Sequence, residues 1–331
     1  MTIRKKRIIV WDTTMAFLKS YIVVPNISST TGHPIGGIVG TLKSLQFLCD
    51  KVKPDMIVAV YDGPGGSKKR RTIMKEYKEG RKPIRRNYET EGMSEEDLRE
   101  NKYWQMDRFV EFLSHLPIHQ FMFPETEADD VISYISSLTS LEEYGKIIVS
   151  SDKDFMQLCN GSTLLMRPTQ NELLNVGNII EQYKVHPRNM ALARAIIGDA
   201  SDNLHGVRGV GFKTLTKKVP FLHEDRDIYM SDIYDYCSDM IDKEESKLKI
   251  YNDILEGKDI IERNYKMMQL SSPMMTINDK DKVRLTLEEQ KMELHEQKFQ
   301  RMMGEDGFMD LNLVGLFKHM RRIVRDSQLE D

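Results

Sequence analysis

The chain has 331 residues, of which 40% are hydrophobic and 30% are charged, and its formal net charge is −3. This composition favours a soluble globular protein with one large or two smaller cores, and the charge argues against a uniformly basic nucleic-acid binder. The apolar runs are too short for a transmembrane span or a signal peptide, so we expect no membrane association. The cysteines at positions 49, 159 and 237 are too far apart to indicate a disulfide or a thiolate zinc site, and they favour a reducing, cytoplasmic setting.

Four short apolar segments, rich in β-branched residues, are predicted to be buried strands. They are "RIIVW" (7–11), "MIVAVY" (56–61), "IHQFMF" (118–123) and "KIIVSS" (146–151). Helices are predicted between them, at 37–52, 103–116 and 127–138. This alternation predicts an α/β fold with a central, mostly parallel sheet and helices on both faces.

Acidic residues follow all four predicted strands. In chain order they are Asp12, Asp62, Glu127, Asp129, Asp130, Asp152 and Asp154. Aspartate is a common turn residue, so chance could explain one strand end, but it is a poor explanation for four. Because ligands collect at the carboxyl ends of parallel strands, we expect these carboxylates to converge at one edge of the sheet.

The stretch "ETEADD" (125–130) has two compatible interpretations. In one, Thr126 caps a helix, Asp129 completes a capping box and the other acids complement the helix dipole. In the other, a cation offsets the repulsion between the crowded carboxylates. Helical spacing puts Glu127 and Asp130 on a similar side and turns Asp129 away, so we expect only two of these acids to share an ion.

A basic segment follows Asp62. Residues 68–86 contain ten lysines and arginines and only two acids, both glutamates. Such a local excess of positive charge next to clustered acids indicates a polyanionic partner beside a metal site.

The stretch "IIGDASDN" adds Asp199 and Asp202 and leads into "GVRGVGFKT" (206–214). A helix, a tight glycine turn and a second helix would direct backbone N–H groups, together with Lys213, towards a phosphate. A plain corner between two helices is the alternative. The glycine spacing and the neighbouring acids favour the phosphate site.

Together these motifs resemble those of the flap endonuclease/5′→3′ exonuclease family, the structure-specific 5′ nucleases of DNA replication. The resemblance covers roughly residues 5–216, through "YDGPGGSKKRR", "EYKEGRKP", "ETEADD", "SSDKDFMQL" and "GDASDNLHGVRGVGFKTL". No polymerase-length extension follows, so the chain resembles the stand-alone bacteriophage-type enzymes. The implied fold is the PIN-like or resolvase-like nuclease fold with a helical arch and a helix-hairpin-helix.

The resemblance also implies roles for individual residues. The implied metal ligands are Asp12, Asp62, Glu127, Asp129, Asp152, Asp154, Asp199 and Asp202, with Asp130 alongside. The implied catalytic residues are Lys78 and Arg81, which steer the scissile phosphate, and Tyr77, which stacks on a base. The expected nucleic-acid contacts are Lys68, Lys69, Arg70, Arg71, Gly206, Gly209, Gly211, Lys213 and Thr214.

Hydrolysis of a phosphodiester bond develops negative charge on the phosphate, which two divalent cations can neutralise. The carboxylate oxygens of these residues are ligands that suit Mg²⁺. We expect two Mg²⁺, with Mn²⁺ as a substitute, and the resemblance implies a K⁺ at the hairpin. The eight histidines are scattered, which argues against zinc. The expected substrate is branched or 5′-ended DNA, including flaps, nicks and RNA/DNA primers.

The expected organisation is a nuclease core at 1–190 with the arch at about 63–103, a helix-hairpin-helix region at 191–270, and a C-terminal helical segment at 271–331. The tail from residue 307 is predicted to form an amphipathic helix packed on the core. A sliding clamp or single-strand-binding protein is a hypothetical partner for this tail, and we expect a monomer.

Three alternatives compete with this interpretation. A PIN-type ribonuclease would share the acids but would not need the arch or the hairpin. A haloacid-dehalogenase-type phosphatase with Asp12 as nucleophile would need an aspartate at position 14, which is threonine. A non-catalytic DNA-binding scaffold would gain nothing from the clustered carboxylates.

Overall fold

The computed structural model describes residues 5–24, 28–30, 32–81, 92–243, 249–308 and 311–328. Lys82, Arg85 and Arg86 of the basic segment lie outside these ranges, as does the middle of the predicted arch. The arch and the three domain boundaries therefore stay predictions.

A mostly parallel sheet forms the centre of the molecule, as predicted. Its strands are β1 (Arg7–Asp12), β2 (Met56–Val60), β3 (His119–Phe121), β4 (Gly145–Val149), β5 (Thr163–Arg167) and β6 (Glu172–Leu174). They lie in the order β3-β2-β1-β4-β5-β6, and only β6 is antiparallel to its neighbour. The sequence did not reveal β5 and β6, because short apolar runs with little alternation are ambiguous between strand and helix. A separate two-stranded ribbon pairs β7 (Gly198–Asp199) with β8 (Leu204–His205).

Helices cover both faces of the sheet, which confirms the predicted layers. The helices are α1 (Thr13–Val23), α2 (Gly36–Val52), α3 (Lys68–Ile73), α4 (Glu95–Ser114), α5 (Ala128–Ser137), α6 (Val176–Tyr183), α7 (Met190–Ile197), α8 (Phe212–Lys218), α9 (Met230–Asp242), α10 (Lys249–Glu256), α11 (Lys258–Met268), α12 (Ile277–Glu289), α13 (Glu296–Glu305) and α14 (Val314–Gln328). Helices α1, α2, α4, α13 and α14 pack in one core, and α5–α12 contribute to the other.

Strand β1 supplies side chains to both cores. Ile8 and Val10 pack against the α5 side, whereas Ile9 and Trp11 pack against the α2 side. All four side chains are fully buried. A strand covered on both faces needs a continuous apolar run, which is why "RIIVW" identified it.

Two predicted helix starts need correction. Helix α4 begins at Glu95, eight residues before the predicted start, because Ser94 and Asp97 form a capping box. Thr126 does not cap α5: the N-cap residue is Glu127, and it makes no side-chain capping bond. Asp129 accordingly completes no capping box.

The C-terminal helix α14 lies along α2. Its buried residues Leu316, Phe317, Met320 and Ile323 join the core on that face of the sheet. In the described part of the chain, none of the helices combines the length and apolarity that crossing a membrane requires.

Candidate active site

Ser150 connects the carboxylates at the ends of two paired strands. Asp12 ends β1, and its Oδ2 accepts a hydrogen bond from the Ser150 hydroxyl at 2.7 Å. Its Oδ1 accepts from the backbone N–H of Met15 at 3.1 Å, which caps α1. The Ser150 Oγ also accepts from the backbone N–H of Asp152 at 3.1 Å. The ends of β1 and β4 thus bring Asp12 and Asp152 together.

Asp62 connects the end of β2 to the start of α5. Its Oδ1 accepts a hydrogen bond from the backbone N–H of Ala128 at 2.9 Å and so replaces the missing side-chain cap of this helix. The next residue, Gly63, packs so closely on the following loop that an added Cβ would lie 1.6 Å from the carbonyl oxygen of Phe123. Only glycine allows this approach, which holds Asp62 beside the helix start that carries Glu127.

Glu127 and Asp130 share the buried guanidinium of Arg70. Its Nη1 lies 3.0 Å from Glu127 Oε2 and 2.7 Å from Asp130 Oδ2. Asp130 Oδ1 also accepts from the backbone N–H of Met274 at 2.8 Å. The two acids therefore do lie on a similar side of α5.

These contacts correct two predicted roles. Arg70 is 3% exposed and Asp130 is 1% exposed. A guanidinium buried against two carboxylates is not available to a DNA phosphate. Both oxygens of Asp130 accept hydrogen bonds inside the fold, which fits a structural carboxylate better than a metal ligand.

Tyr77 is also buried rather than presented to a base. Its side chain is 3% exposed and packs with Leu204, Met267 and Met268. The hydroxyl lies 3.2 Å from Glu127 Oε2 and 3.1 Å from a carboxylate oxygen of Asp202, so it can donate to either. This placement contradicts the predicted stacking role, because the ring face is covered by protein.

Lys78 and Arg81 connect the basic segment to the acids. The Lys78 ammonium donates to Glu127 Oε1 at 2.7 Å, and its backbone N–H donates to the Asp202 carbonyl at 3.1 Å. Lys78 adopts a left-handed backbone conformation, with φ of 59°. The Arg81 guanidinium pairs with the Asp202 carboxylate. Both predicted catalytic cations therefore lie at the edge of the sheet where the acids converge.

A buried arginine that the sequence interpretation missed, Arg194, bridges two further acids. Its Nε donates to Asp154 Oδ1 at 2.8 Å, and its Nη2 donates to Asp199 Oδ2 at 2.6 Å. Arg194 is 7% exposed. Its only signal in the sequence was a single charge inside the otherwise apolar helix "MALARAII". Such a position indicates a buried arginine, and a buried arginine seldom lacks an acidic partner.

Burial and mutual repulsion make the strand-end acids harder to ionise. Burial raises the pKa of Asp12 to about 7, and the charges of Asp62 and then Asp152 add to the shift. Burial likewise raises the pKa of Asp154 to about 7, although Arg194 opposes the rise. For Asp129, burial and then the Asp152 charge raise the pKa well above its usual value. These shifts show that Asp12, Asp129 and Asp154 all lie close enough to Asp152 to interact with it.

This set of donors suits a hard divalent cation. The ligands on offer are carboxylate oxygens, without histidine or cysteine, which is the chemistry that Mg²⁺ and Mn²⁺ prefer. A cation would also relieve the repulsion that adds to the effect of burial on these pKa values. Within the described ranges, no three His, Cys, Asp or Glu side chains are arranged to enclose a single ion. Lysine and arginine side chains instead pair with several of the carboxylates.

The basic residues of α3 divide between internal and surface contacts. The Lys68 ammonium is exposed and pairs with Glu125. Lys69 donates to the Met274 carbonyl at 2.7 Å. Arg71 is exposed, and its Nε donates to the Tyr77 carbonyl at 3.2 Å. Lys68 and Arg71 are therefore the residues of this group that face solvent most openly.

The glycine-rich hairpin lies beside the acids but is not a simple turn. The β7–β8 ribbon separates α7 from the turn that leads into α8. An added Cβ at Gly206 would lie 2.2 Å from the Ile197 carbonyl oxygen, so this glycine serves internal packing rather than an approach to DNA. Gly209 has a left-handed φ of 77° and is exposed, and Gly211 is the N-cap residue of α8. Lys213 and Thr214 are exposed in the first turn of α8.

Comparison with known proteins assigns the class. Residues 7–184 match the sequence family described as 5′-3′ exonuclease, N-terminal resolvase-like domain. The 5′-3′ exonuclease of Buchnera aphidicola subsp. Schizaphis graminum is 32% identical over 217 residues, which cover 64% of this chain and 69% of the relative. That of Aquifex aeolicus is 30% identical over 209 residues, covering 63% and 67%.

The fold is also similar to that of the bacteriophage T5 D15 flap endonuclease, solved as a pseudo-enzyme-product complex with DNA and metal ions. The TM-score is 0.61 at 17% identity, covering 92% of this chain and all of that one. The family match and the two sequence relatives show that the protein is a nuclease, a hydrolase of phosphodiester bonds. It belongs to the 5′-3′ exonuclease family.

Proposed function

We propose that this protein is a divalent-metal-dependent, structure-specific 5′ nuclease that acts on branched or 5′-ended DNA and on RNA/DNA primers. It would act both as a 5′→3′ exonuclease and as a 5′-flap endonuclease. The observation that carries the proposal is the convergence of carboxylates at the ends of four parallel strands. Asp12 and Asp152 both bond to Ser150, and Asp62 bonds to the start of the helix that carries Asp129. The charge of Asp62 acts on Asp12, and that of Asp152 acts on Asp12 and Asp129. The T5 enzyme, which shares the fold, has been solved with both DNA and metal ions.

Two Mg²⁺, or Mn²⁺ in their place, are the proposed ions. The residues that would hold them are Asp12, Asp62, Glu127, Asp129, Asp152, Asp154, Asp199 and Asp202. Such ions, when bound, activate water and neutralise the charge that develops on the phosphate. Asp130 is left out of this set because the buried Arg70 and the Met274 backbone N–H hold both of its oxygens inside the fold. Both oxygens of Glu127 are also paired, but its partner Lys78 lies among the acids at the edge of the sheet, so Glu127 is kept.

The chain's own cations would hold the scissile phosphate. Burial lowers the pKa of Lys78, but Glu127 and Asp129 more than offset this effect, so the pKa is raised and the ammonium stays charged. Charged donors such as Lys78 and Arg81 bind phosphate oxygens more strongly than neutral donors do. Lys68, Arg71, Lys213 and Thr214 lie on the surface where they can contact the DNA backbone without reading its sequence.

Four further assignments belong to the same proposal. Backbone carbonyls of the hairpin turn would hold a K⁺. A sliding clamp or single-strand-binding protein would recruit the enzyme to replicating DNA. The enzyme would act as a monomer in the cytoplasm.

The decisive test is cleavage of end-labelled flap, nicked and single-stranded DNA, with a matched single-stranded RNA, in Mg²⁺ and in EDTA. We expect cleavage near the 5′ end or the flap junction in Mg²⁺ and no cleavage in EDTA. Cleavage of the RNA alone would instead support a PIN-type ribonuclease. DNA binding without cleavage under any metal would support a non-catalytic scaffold.

A second prediction concerns Lys78. Lys78→Ala should slow cleavage by about 100-fold, because one charged donor to a developing phosphate charge is worth that order of magnitude. Affinity for uncleaved flap DNA in EDTA should change by less than about threefold, since many other phosphate contacts remain. Lys75→Ala, an exposed change in the same basic segment, is the matched control and should preserve the rate. If Lys78→Ala weakens affinity and leaves the rate constant of bound DNA intact, Lys78 is only part of a basic surface.

A further inference from the structure

A groove of about 530 Å³ lies against the C-terminal helix, and basic side chains dominate its lining. Its lining residues are Lys53, Lys318, His319, Arg321, Arg322 and Arg325. Apart from Lys53, all of them come from one side of α14. This concentration of positive charge contrasts with the negative net charge of the chain.

The groove lies at the edge of the sheet opposite to the acids. Helix α14 runs beside α2, since His319 Nε2 lies 2.7 Å from Asp50 and the Arg322 guanidinium donates to the Pro54 carbonyl. Lys53 stands between the end of α2 and the start of β2. Those contacts lie at the amino ends of the parallel strands, whereas the acids lie at the carboxyl ends. The groove is therefore separate from the proposed active site.

Two acidic residues that do not line the groove neutralise part of its positive charge. Arg321 pairs with Glu296, and Arg325 pairs with its neighbour Asp326. Lys318 is exposed, and no ion pair involving its ammonium is seen in the described part of the chain. The exposed Arg325–Asp326 pair contributes little energy, so Arg325 can exchange partners readily. Arg321 holds Glu296 through two nitrogen atoms and is less free to do so. The lining stays positive because it contains five permanently charged side chains and no carboxylate.

The shape and chemistry of the groove favour a peptide over DNA. A DNA duplex that is held at the acidic edge is stiff over about 150 base pairs, so bending it around to the opposite edge would be costly. A single-stranded flap has no such stiffness, and the flap-DNA affinity measured below tests whether it uses the groove. The aliphatic stems of five lysine and arginine side chains give the groove apolar walls beneath its charges. Such a surface complements carboxylates that alternate with apolar side chains. Its volume suits a few residues of an extended chain.

We propose that this groove binds a short acidic segment of a partner protein, with carboxylates on Lys318 and Arg325 and apolar side chains between the stems. The inference does not depend on the nuclease activity. A partner bound in this groove would recruit the enzyme and leave the acidic edge of the sheet free for nucleic acid.

The test uses the full chain and a fluorescein-labelled peptide that alternates aspartate with leucine and phenylalanine, measured by fluorescence anisotropy. Lys318→Gln/Arg325→Gln should weaken peptide binding about tenfold, since two exposed charge contacts are worth roughly 1.4 kcal/mol together. The matched control, Lys43→Gln/Lys298→Gln, removes the same charge from exposed positions outside the groove and should bind as the unchanged chain does. The same peptide with asparagine for aspartate should not bind. Glutamine keeps α14 helical, and unchanged flap cleavage by both variants would show that they fold.

Several results would overturn the proposal. Equal peptide affinity in the groove variant and the control, whether unchanged or weakened in both, would show that the peptide does not bind specifically in the groove. Equal binding of the asparagine peptide would exclude recognition of carboxylates. A loss of flap-DNA affinity in the groove variant, without loss of peptide affinity, would make the groove a nucleic-acid surface. Deletion of α14 is unsuitable as a test, because its apolar side is part of the core.

Discussion

Asp152→Asn is expected to slow cleavage by about 10³-fold or more, while affinity for uncleaved DNA stays within about threefold. Asp152 is the carboxylate whose charge reaches Asp12, Asp129 and Asp154, so it lies at the centre of the acids. Asparagine has the same shape and keeps an oxygen to accept the 2.8 Å hydrogen bond from the Asp154 backbone N–H. The substitution therefore removes a charge and a strong metal ligand but little structure.

The same substitution should also change the thermal stability of the protein. Without divalent metal, Asp152→Asn should unfold at a higher temperature than the unchanged chain, because one source of repulsion among buried acids is gone. Addition of Mg²⁺ should stabilise the unchanged chain more than the variant, since binding to the folded state raises stability. Asp227→Asn, an exposed aspartate paired only loosely with Arg188, is the control and should change neither property. Normal turnover by Asp152→Asn at ordinary Mg²⁺ would reject the metal assignment.

Arg70→Met is expected to lower the free energy of unfolding by about 3–5 kcal/mol. Methionine fills a similar volume but leaves the buried carboxylates of Glu127 and Asp130 without the guanidinium that now lies within 3.0 Å of both. Removing one partner of a buried ion pair is costly because the remaining charge is uncompensated. Lys78 still pairs with Glu127, so the effect should come mainly through Asp130.

Urea unfolding followed by circular dichroism measures this loss. The matched control is Arg71→Met, the next residue of α3, which is exposed and should cost less than about 0.5 kcal/mol. A stable Arg70→Met protein that has lost DNA affinity would restore the role inferred from sequence, in which Arg70 contacts the phosphate backbone. Loss of stability with the DNA affinity of the folded fraction preserved would confirm the structural role.

The sequence by itself determined four of the six strands of the sheet and the edge at which the acids meet. The apolar runs of β1, β2 and β4 are long enough to identify strands buried on both faces. An acid ends the first strand, and another follows each of the other two within about three residues. Parallel strands end at a common edge, so local patterns were sufficient to bring Asp12, Asp62 and Asp152 together. This inference from the ends of parallel strands requires no knowledge of which distant segments pack against each other.

Tertiary structure alone decided which charged side chains face each other and which remain accessible. Arg70 and Arg71 are neighbours in one basic run, yet α3 turns the first into the core and leaves the second in solvent. Tyr77 is buried because Met267, far along the chain in α11, covers it. Arg194 meets Asp154 only because α7 packs beside the segment that follows β4, whereas Asp199 is five residues along the same chain segment. Charge and residue type can be read locally, but burial and pairing depend on contacts between residues that are distant in sequence.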